Sequence, residues 1–219
     1  MTKTPLILSL LLVVTAGAYL FMVNKEQSQL GGRPLRIVAF GDSLTAGYGV
    51  SEEENYPSQL VRSLSKYQIE MINLGVNGDT SLDAKNRLQD VINEKPDIVL
   101  LGIGGNDALR LLPPAEAKEN IGSIIQTLRS QPNPPRIILL EMKAGLHGGL
   151  DYKREFDAIY EELAEQYDLP LVPFVITNIY LDQKYVLSDR IHMNSEGYGY
   201  VVREYLKDAV EKEIKRMQK

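Results

Sequence analysis

The chain has 219 residues, with 24 Lys and Arg against 29 Asp and Glu, two histidines and no cysteine. The missing thiols exclude disulfides, thiolate zinc sites, a cysteine nucleophile and a lipid-modified N-terminal cysteine, and two histidines leave little for a histidine-rich metal centre. A net charge of −5 argues against nucleic acid as a partner, and the length suits one domain with a sizeable core.

Residues 1–30 stand apart from the rest, a domain over 31–219. Behind Lys3, Pro5 to Val23 carries no charge over nineteen residues. As a helix this run would span roughly 28 Å, close to the hydrocarbon thickness of a bilayer. Ala16-Gly17-Ala18 resembles the cleavage site of a removable secretory signal, yet the apolar run continues through Tyr19-Leu20-Phe21-Met22-Val23, longer than such a signal needs. We expect an uncleaved signal anchor with membrane contact through residues 5–23, its N-terminus in the cytoplasm and the domain outside the cytoplasmic membrane. Cleavage would leave the domain secreted or periplasmic. Asn24 to Gln29, then Gly31-Gly32-Arg33-Pro34, read as a linker.

The apolar run Leu35 to Phe40 predicts a buried strand, broken at Gly41-Asp42-Ser43. Glu52-Glu53-Glu54 reads as a solvated face, although it would also repel anionic substrates. Asn55 suits a helix cap and Pro57 its first turn, with Leu60, Val61 and Leu64 as the apolar stripe. Ile69 to Leu74 is a second strand, ending in the turn-rich Gly75-Val76-Asn77-Gly78-Asp79-Thr80-Ser81, where Thr80 or Ser81 caps a helix over about 82–94. Ile98 to Ile103 is continuously apolar, as in a strand covered on both faces, and it too ends in glycines. A helix over about 115–130, a strand from Arg136 to Glu141, a glycine-bearing loop over 143–150, a helix over about 152–167, a short strand from Leu171 to Phe174 and a helix over about 195–217 complete the chain. Strands alternating with helices predict an α/β fold, a parallel sheet with helices on both faces.

Ser43 lies at the predicted carboxyl edge of that sheet, where open α/β sheets place their ligands. Taken singly, a serine there is a helix cap. The G-x-S-x-G elbow is absent because Thr45 replaces its second glycine, and neither G-x-G-x-x-G nor a Walker A pattern occurs. Asp189 and His192 change the reading. A serine hydroxyl needs a base to become a nucleophile, and a histidine base needs a partner on its other nitrogen. The i, i+3 spacing of Asp189 and His192 puts both side chains on one face of a turn. His147, in its glycine-rich loop, reads as a solvated histidine. Gly78 N–H, the Asn106 side-chain amide and Ser43 N–H are candidate donors to a developing oxyanion; singly, Gly78 is a turn residue and Asn106 a helix cap.

Together these stretches resemble an SGNH, or GDSL-type, hydrolase over about residues 35–215. The matching blocks are Gly41-Asp42-Ser43-Leu44, Asn77-Gly78-Asp79-Thr80-Ser81, Gly104-Gly105-Asn106-Asp107 and Asp189-Arg190-Ile191-His192. The resemblance is greatest to the bacterial lysophospholipase, acyl-CoA thioesterase I and arylesterase branch. It implies a flavodoxin-like three-layer α/β/α sandwich on a five-stranded parallel sheet, with no metal or cofactor. It further implies Ser43 as nucleophile, His192 as base and Asp189 as its orienter, and an oxyanion hole of Ser43, Gly78 and Asn106. The sequence departs from that branch at Met193, where proline is usual, so a less rigid turn around His192 is expected; the segment 143–152 departs as well.

The resemblance makes the chain a serine hydrolase of acyl esters or thioesters, lysophospholipids included, with a small-molecule or lipid ester as partner. The alternatives are an O-deacetylase of cell-wall or exported polysaccharide, and a membrane-anchored carbohydrate-binding or assembly protein without turnover. Leu109, Leu111 and Leu112, with the 143–150 loop, follow the third and fourth strands and are expected to border an acyl pocket; the alternative is that the leucines are ordinary core. Oligomeric state is left open.

Overall fold

A computed structural model describes residues 32–218. The expected anchor over 5–23 and most of the linker lie outside the described residues. Among the described residues no helix is long and apolar enough to cross a membrane.

Five strands, β1 (Leu35–Gly41), β2 (Ile69–Gly75), β3 (Ile98–Gly102), β4 (Arg136–Glu141) and β5 (Leu171–Pro173), form one sheet in the order β2-β1-β3-β4-β5. Every neighbouring pair is parallel. β1 and β3 are buried nearly throughout, which is why they read as unbroken apolar runs, whereas edge strand β2 is only half-buried. Tyr56–Ser63 packs with the C-terminal helical segment on one face; Ser81–Asn86, Pro114–Arg129 and Gly149–Tyr167 form the other layer. This is the expected three-layer sandwich.

Local chemistry explains some helix starts. Asn55 Oδ1 accepts the Ser58 N–H at 2.9 Å, with Pro57 in the first turn. Thr80 and Asp83 form a reciprocal capping box at the next helix. Two expected helices are interrupted. The one expected over 82–94 is two, Ser81–Asn86 and Leu88–Asn93, because Arg87 leaves helical geometry at φ −106° and ψ 17°. The C-terminal helix, expected unbroken over 195–217, widens into a π turn at Val202–Leu206, and Val202, Leu206, Val210 and Ile214 all stay buried across it. The 143–150 loop is shorter than expected: Leu146–Gly148 is a 3-10 turn and the following helix starts at Gly149.

The strand order reverses between β1 and β3, so the loops after them open a crevice at the carboxyl edge. Backbone meets backbone there. A Cβ on Gly75 would stand 2.1 Å from Ala46 N, and one on Gly41 2.1 Å from Gly102 O. The short Ser43–Ala46 helix therefore lies directly on the end of β2, with no side chain between. Gly75→Ala is expected to push that helix off the sheet and cost about 1–3 kcal/mol. A thermal melt at the parental midpoint would show the close approach to be unimportant.

Candidate active site

Ser43 opens the helix that follows β1, and its N-cap is Asp42, whose Oδ1 accepts Leu44 N–H at 3.0 Å. His192 comes from 149 positions further along the chain, and its Nε2 lies 2.9 Å from Ser43 Oγ. Its Nδ1 lies 2.7 Å from Asp189 Oδ2. Asp189 Oδ1 in turn accepts the N–H groups of Ile191 at 2.9 Å and His192 at 3.0 Å. The carboxylate thus holds both the ring and the main chain that carries it. With Nδ1–H donating to Asp189, the Nε2 lone pair faces the serine hydroxyl, the tautomer a general base needs. Burial pushes the Asp189 carboxyl up, but the bonds from the His192 ring and from the Ile191 and His192 N–H groups outweigh it and hold the carboxyl below its ordinary range.

The turn carrying His192 is tied down despite Met193. Leu187 N–H donates to His192 O at 2.8 Å and Asn194 N–H to Tyr185 O at 3.0 Å, making an antiparallel bridge between Val186 and Met193. Met193 is wholly buried, which anchors the residue after His192 in the core. Arg190 at the tip takes the left-handed region at φ 57°. The Tyr48 ring packs on the imidazole with centroids 4.5 Å apart, a contact not foreseen from the sequence; the signal was an aromatic residue five positions after Ser43.

The expected donors meet on the same edge. Gly78 sits at φ 87°, a conformation that suits glycine. Neither Gly78 N–H nor Ser43 N–H donates to another described residue. Asn106 Nδ2 donates one hydrogen to Asp79 O at 3.0 Å, leaving its second. Next to it, buried Asp107 accepts Ser81 N–H at 2.8 Å and Ser81 Oγ–H at 2.6 Å. The Asn106-Asp107 pair therefore grips the Gly78 loop at two points. His147 is exposed, in the 3-10 turn Leu146–Gly148.

Leu109 and Leu111 are 46% and 44% exposed and Leu112 is half-buried, so ordinary core does not describe them. Leu111 lies against Gly148, where an added Cβ would meet Leu111 Cδ2 at 2.6 Å, which joins the leucines to the 143–150 loop. A groove of about 970 Å³ lined by Arg33, Arg36, Lys95, Asp97 and Met217 lies at the opposite, amino edge of the sheet and contains none of these residues. Among the described residues no cluster of three or more His, Cys, Asp or Glu is arranged to hold a metal ion.

A hydroxyl facing a histidine, beside N–H groups with no internal partner, is equipped to open an acyl carbonyl, and this puts the molecule among the serine hydrolases. Residues 39–200 match the GDSL-like Lipase/Acylhydrolase family, and the chain belongs to that family. It is 30% identical over 166 residues to the thioesterase 1/protease 1/lysophospholipase L1 of Escherichia coli K12, covering 75% of this chain and 78% of that one. It is 27% identical to an arylesterase of Vibrio mimicus, covering 76% and 84%. Among solved structures it resembles AlinE4, an SGNH-hydrolase family esterase, with 38% identity, a TM-score of 0.67 and coverage of 83% and 97%. It also resembles the psychrotrophic esterase EstA from Pseudoalteromonas sp., with 26% identity, a TM-score of 0.73 and coverage of 81% and 97%. The chain is a serine hydrolase acting on ester bonds.

Burial pushes the Asp42 carboxyl up to about 7, with the charges of Asp107 and Asp79 adding to the rise and the Leu44 N–H opposing it. A carboxyl raised on folding favours the folded state while protonated and loses that advantage as pH climbs from the unfolded value to about 7. Asn at this position keeps the Oδ1 acceptor and does not titrate. The melting temperature of Asp42→Asn relative to the parent is therefore expected to rise between pH 4 and 8 and to level off above that. A difference that stays flat over this range would mean that Asp42 does not ionise there.

Proposed function

We propose that Ser43, His192 and Asp189 are the catalytic triad, and that Ser43 N–H, Gly78 N–H and the Asn106 amide form the oxyanion hole. The single observation behind this reading is the continuous hydrogen-bonded path from Asp189 through His192 to Ser43 Oγ. In the first half-reaction His192 Nε2 takes the Ser43 proton as Oγ attacks the ester carbonyl. The three donors receive the negative charge of the tetrahedral oxygen. Collapse breaks the bond to the leaving alcohol or thiol, which takes the proton from Nε2, and the acyl group stays on Ser43. Water repeats the sequence and releases the acid.

Ser43→Ala and His192→Ala are each expected to abolish nearly all turnover of a short p-nitrophenyl ester, without compounding in the double variant, since both act on one proton transfer. Asn106→Ala is expected to lose roughly two to three orders of magnitude. Asp189→Asn is expected to be severe, and His147→Ala near parental. Circular dichroism alongside initial rates separates loss of chemistry from loss of fold. An active, folded His192→Ala beside a dead His147→Ala would falsify the assignment.

We propose acyl esters or thioesters, lysophospholipids included, as the substrates, with Leu109, Leu111 and Leu112 and the 143–150 loop bordering the acyl chain. Support comes from the exposed apolar side chains Val76, Leu82, Leu109, Leu111, Leu146 and Leu150, all on the loops and helices that follow β2, β3 and β4. Leu111 also sits at φ 54°, a region that costs a leucine but suits asparagine. Leu111→Asn is therefore expected to hold or raise the melting temperature while shifting preference toward shorter p-nitrophenyl esters. An unchanged chain-length profile would remove Leu111 from the pocket.

The domain is proposed to work outside the cytoplasmic membrane, held by residues 5–23; the uncharged run behind Lys3 supports this. Fractionation with N-terminal sequencing is expected to find the intact chain in the membrane. A soluble form beginning near Tyr19 would replace the anchor with a cleaved signal.

A further inference from the structure

Arg87 has no part in the serine–histidine–aspartate path, yet it is bonded to both loops that carry the N–H donors. Its Nε lies 2.5 Å from Asp79 Oδ2. Its Nη1 donates to Leu74 O and its Nη2 to Gly41 O, each at 2.9 Å. One planar guanidinium therefore joins the end of β1, the end of β2 and the loop after β2. The plane is steadied from beneath by the Phe40 ring, whose centroid is 4.5 Å from Cζ. The pair is largely enclosed, with side-chain exposures of 18% for Arg87 and 11% for Asp79.

Each acceptor is close in sequence to an oxyanion donor. Gly41 is two residues before Ser43, whose N–H is one donor. Asp79 directly follows Gly78, whose N–H is the second. The third, Asn106, is hydrogen-bonded to the main-chain oxygen of the same Asp79. Arg87 is also the residue at which the helix after this loop breaks, and its side chain crosses back under the loop from that break. Arginine suits the place because a rigid fork can serve three acceptors at once, whereas the point charge of lysine cannot span them.

We propose that Arg87, through Asp79, is a positioning residue that sets the spacing of the three oxyanion donors. The inference rests on the oxyanion hole proposed above. It does not require Arg87 to touch substrate. Its effect falls on the transition state, when charge develops on the carbonyl oxygen, and little on ground-state binding.

The full-length protein, a p-nitrophenyl ester and a fluorophosphonate probe supply the test. Arg87→Ala is expected to lower kcat by roughly a hundredfold and Arg87→Lys by roughly tenfold, with KM within about threefold and the phosphonylation rate falling in parallel. Combined with Asn106→Ala, the losses are expected to fall short of their product, because both substitutions disturb the same donor set. A folded Arg87→Ala with kcat within about threefold of the parent would overturn the proposal, as would losses confined to KM or losses that multiply with Asn106→Ala. If Arg87→Ala does not fold, Arg87→Lys and Asp79→Asn decide the matter, the latter keeping the main-chain oxygen that Asn106 uses; parental kcat in both overturns it. A silent Asn106→Ala would instead strike the oxyanion hole itself, whereas an impaired Asn106→Ala beside a normal Arg87→Ala removes only the part given to Arg87.

Discussion

Close backbone packing at the carboxyl edge of the sheet is the constraint on which the site depends. Gly41, Gly75 and Gly102 end β1, β2 and β3 in matched register, and the main chain of the Ser43–Ala46 helix rests on Gly75. No side chain fits between Gly75 and that helix. Ser43 is thereby held against the end of β2, and the Gly78 loop and the Asn106 helix are tied to each other through Asp79 O and the Asp107 carboxylate. Only His192 arrives from elsewhere, and its turn is closed by the Val186–Met193 bridge and by Asp189.

This packing draws carboxylates into the interior. Asp42 and Asp107 are buried close to the nucleophile, and burial raises both above the ordinary carboxylate range. The charges of Asp107 and Asp79 make ionising Asp42 harder, a cost that a protein retains where the groups hold something in place. Asp42 caps the nucleophile helix and Asp107 secures Ser81 in the Gly78 loop. Arg87 is the cation set against the third, Asp79. The site thus contains a polar framework in which Arg87 holds Asp79 and Arg110 holds Gly78 O, with exposed apolar side chains such as Val76, Leu109 and Leu111 at the same edge. The framework ties the Gly78 loop to the Asn106 helix, and Leu109 and Leu111 expose apolar surface at the same edge. Among the described residues, two of the four left-handed residues other than glycine, Leu111 and Arg190, stand at this edge, where strain is tolerated because surrounding contacts determine the backbone.

The elements most legible in the sequence were those governed by local rules. Continuous apolar runs gave β1 and β3, and the Asn55 and Thr80 caps gave two helix starts. Helix breaks were not legible. Arg87 looks like any surface arginine on a helical stripe, and its three acceptors lie outside the helix that it interrupts. The π turn at Val202–Leu206 likewise carries no proline or other local breaker. The exposure of Leu109 and Leu111 was equally hidden, since a leucine reads the same whether it faces core or substrate.

The residue types of the site were set along the chain: a serine at a strand end, glycines that permit backbone contact, an asparagine after β3, and an aspartate three residues before a histidine. These follow from short-range spacing, which one strand or one turn expresses by itself. Tertiary structure alone decided that His192 meets Ser43 across 149 positions and that Arg87 bridges three main-chain and side-chain acceptors. It also decided that a buried methionine closes the histidine turn. Those contacts depend on strand order and on the packing of two helical layers, and such long-range distances are not written in any local stretch of residues.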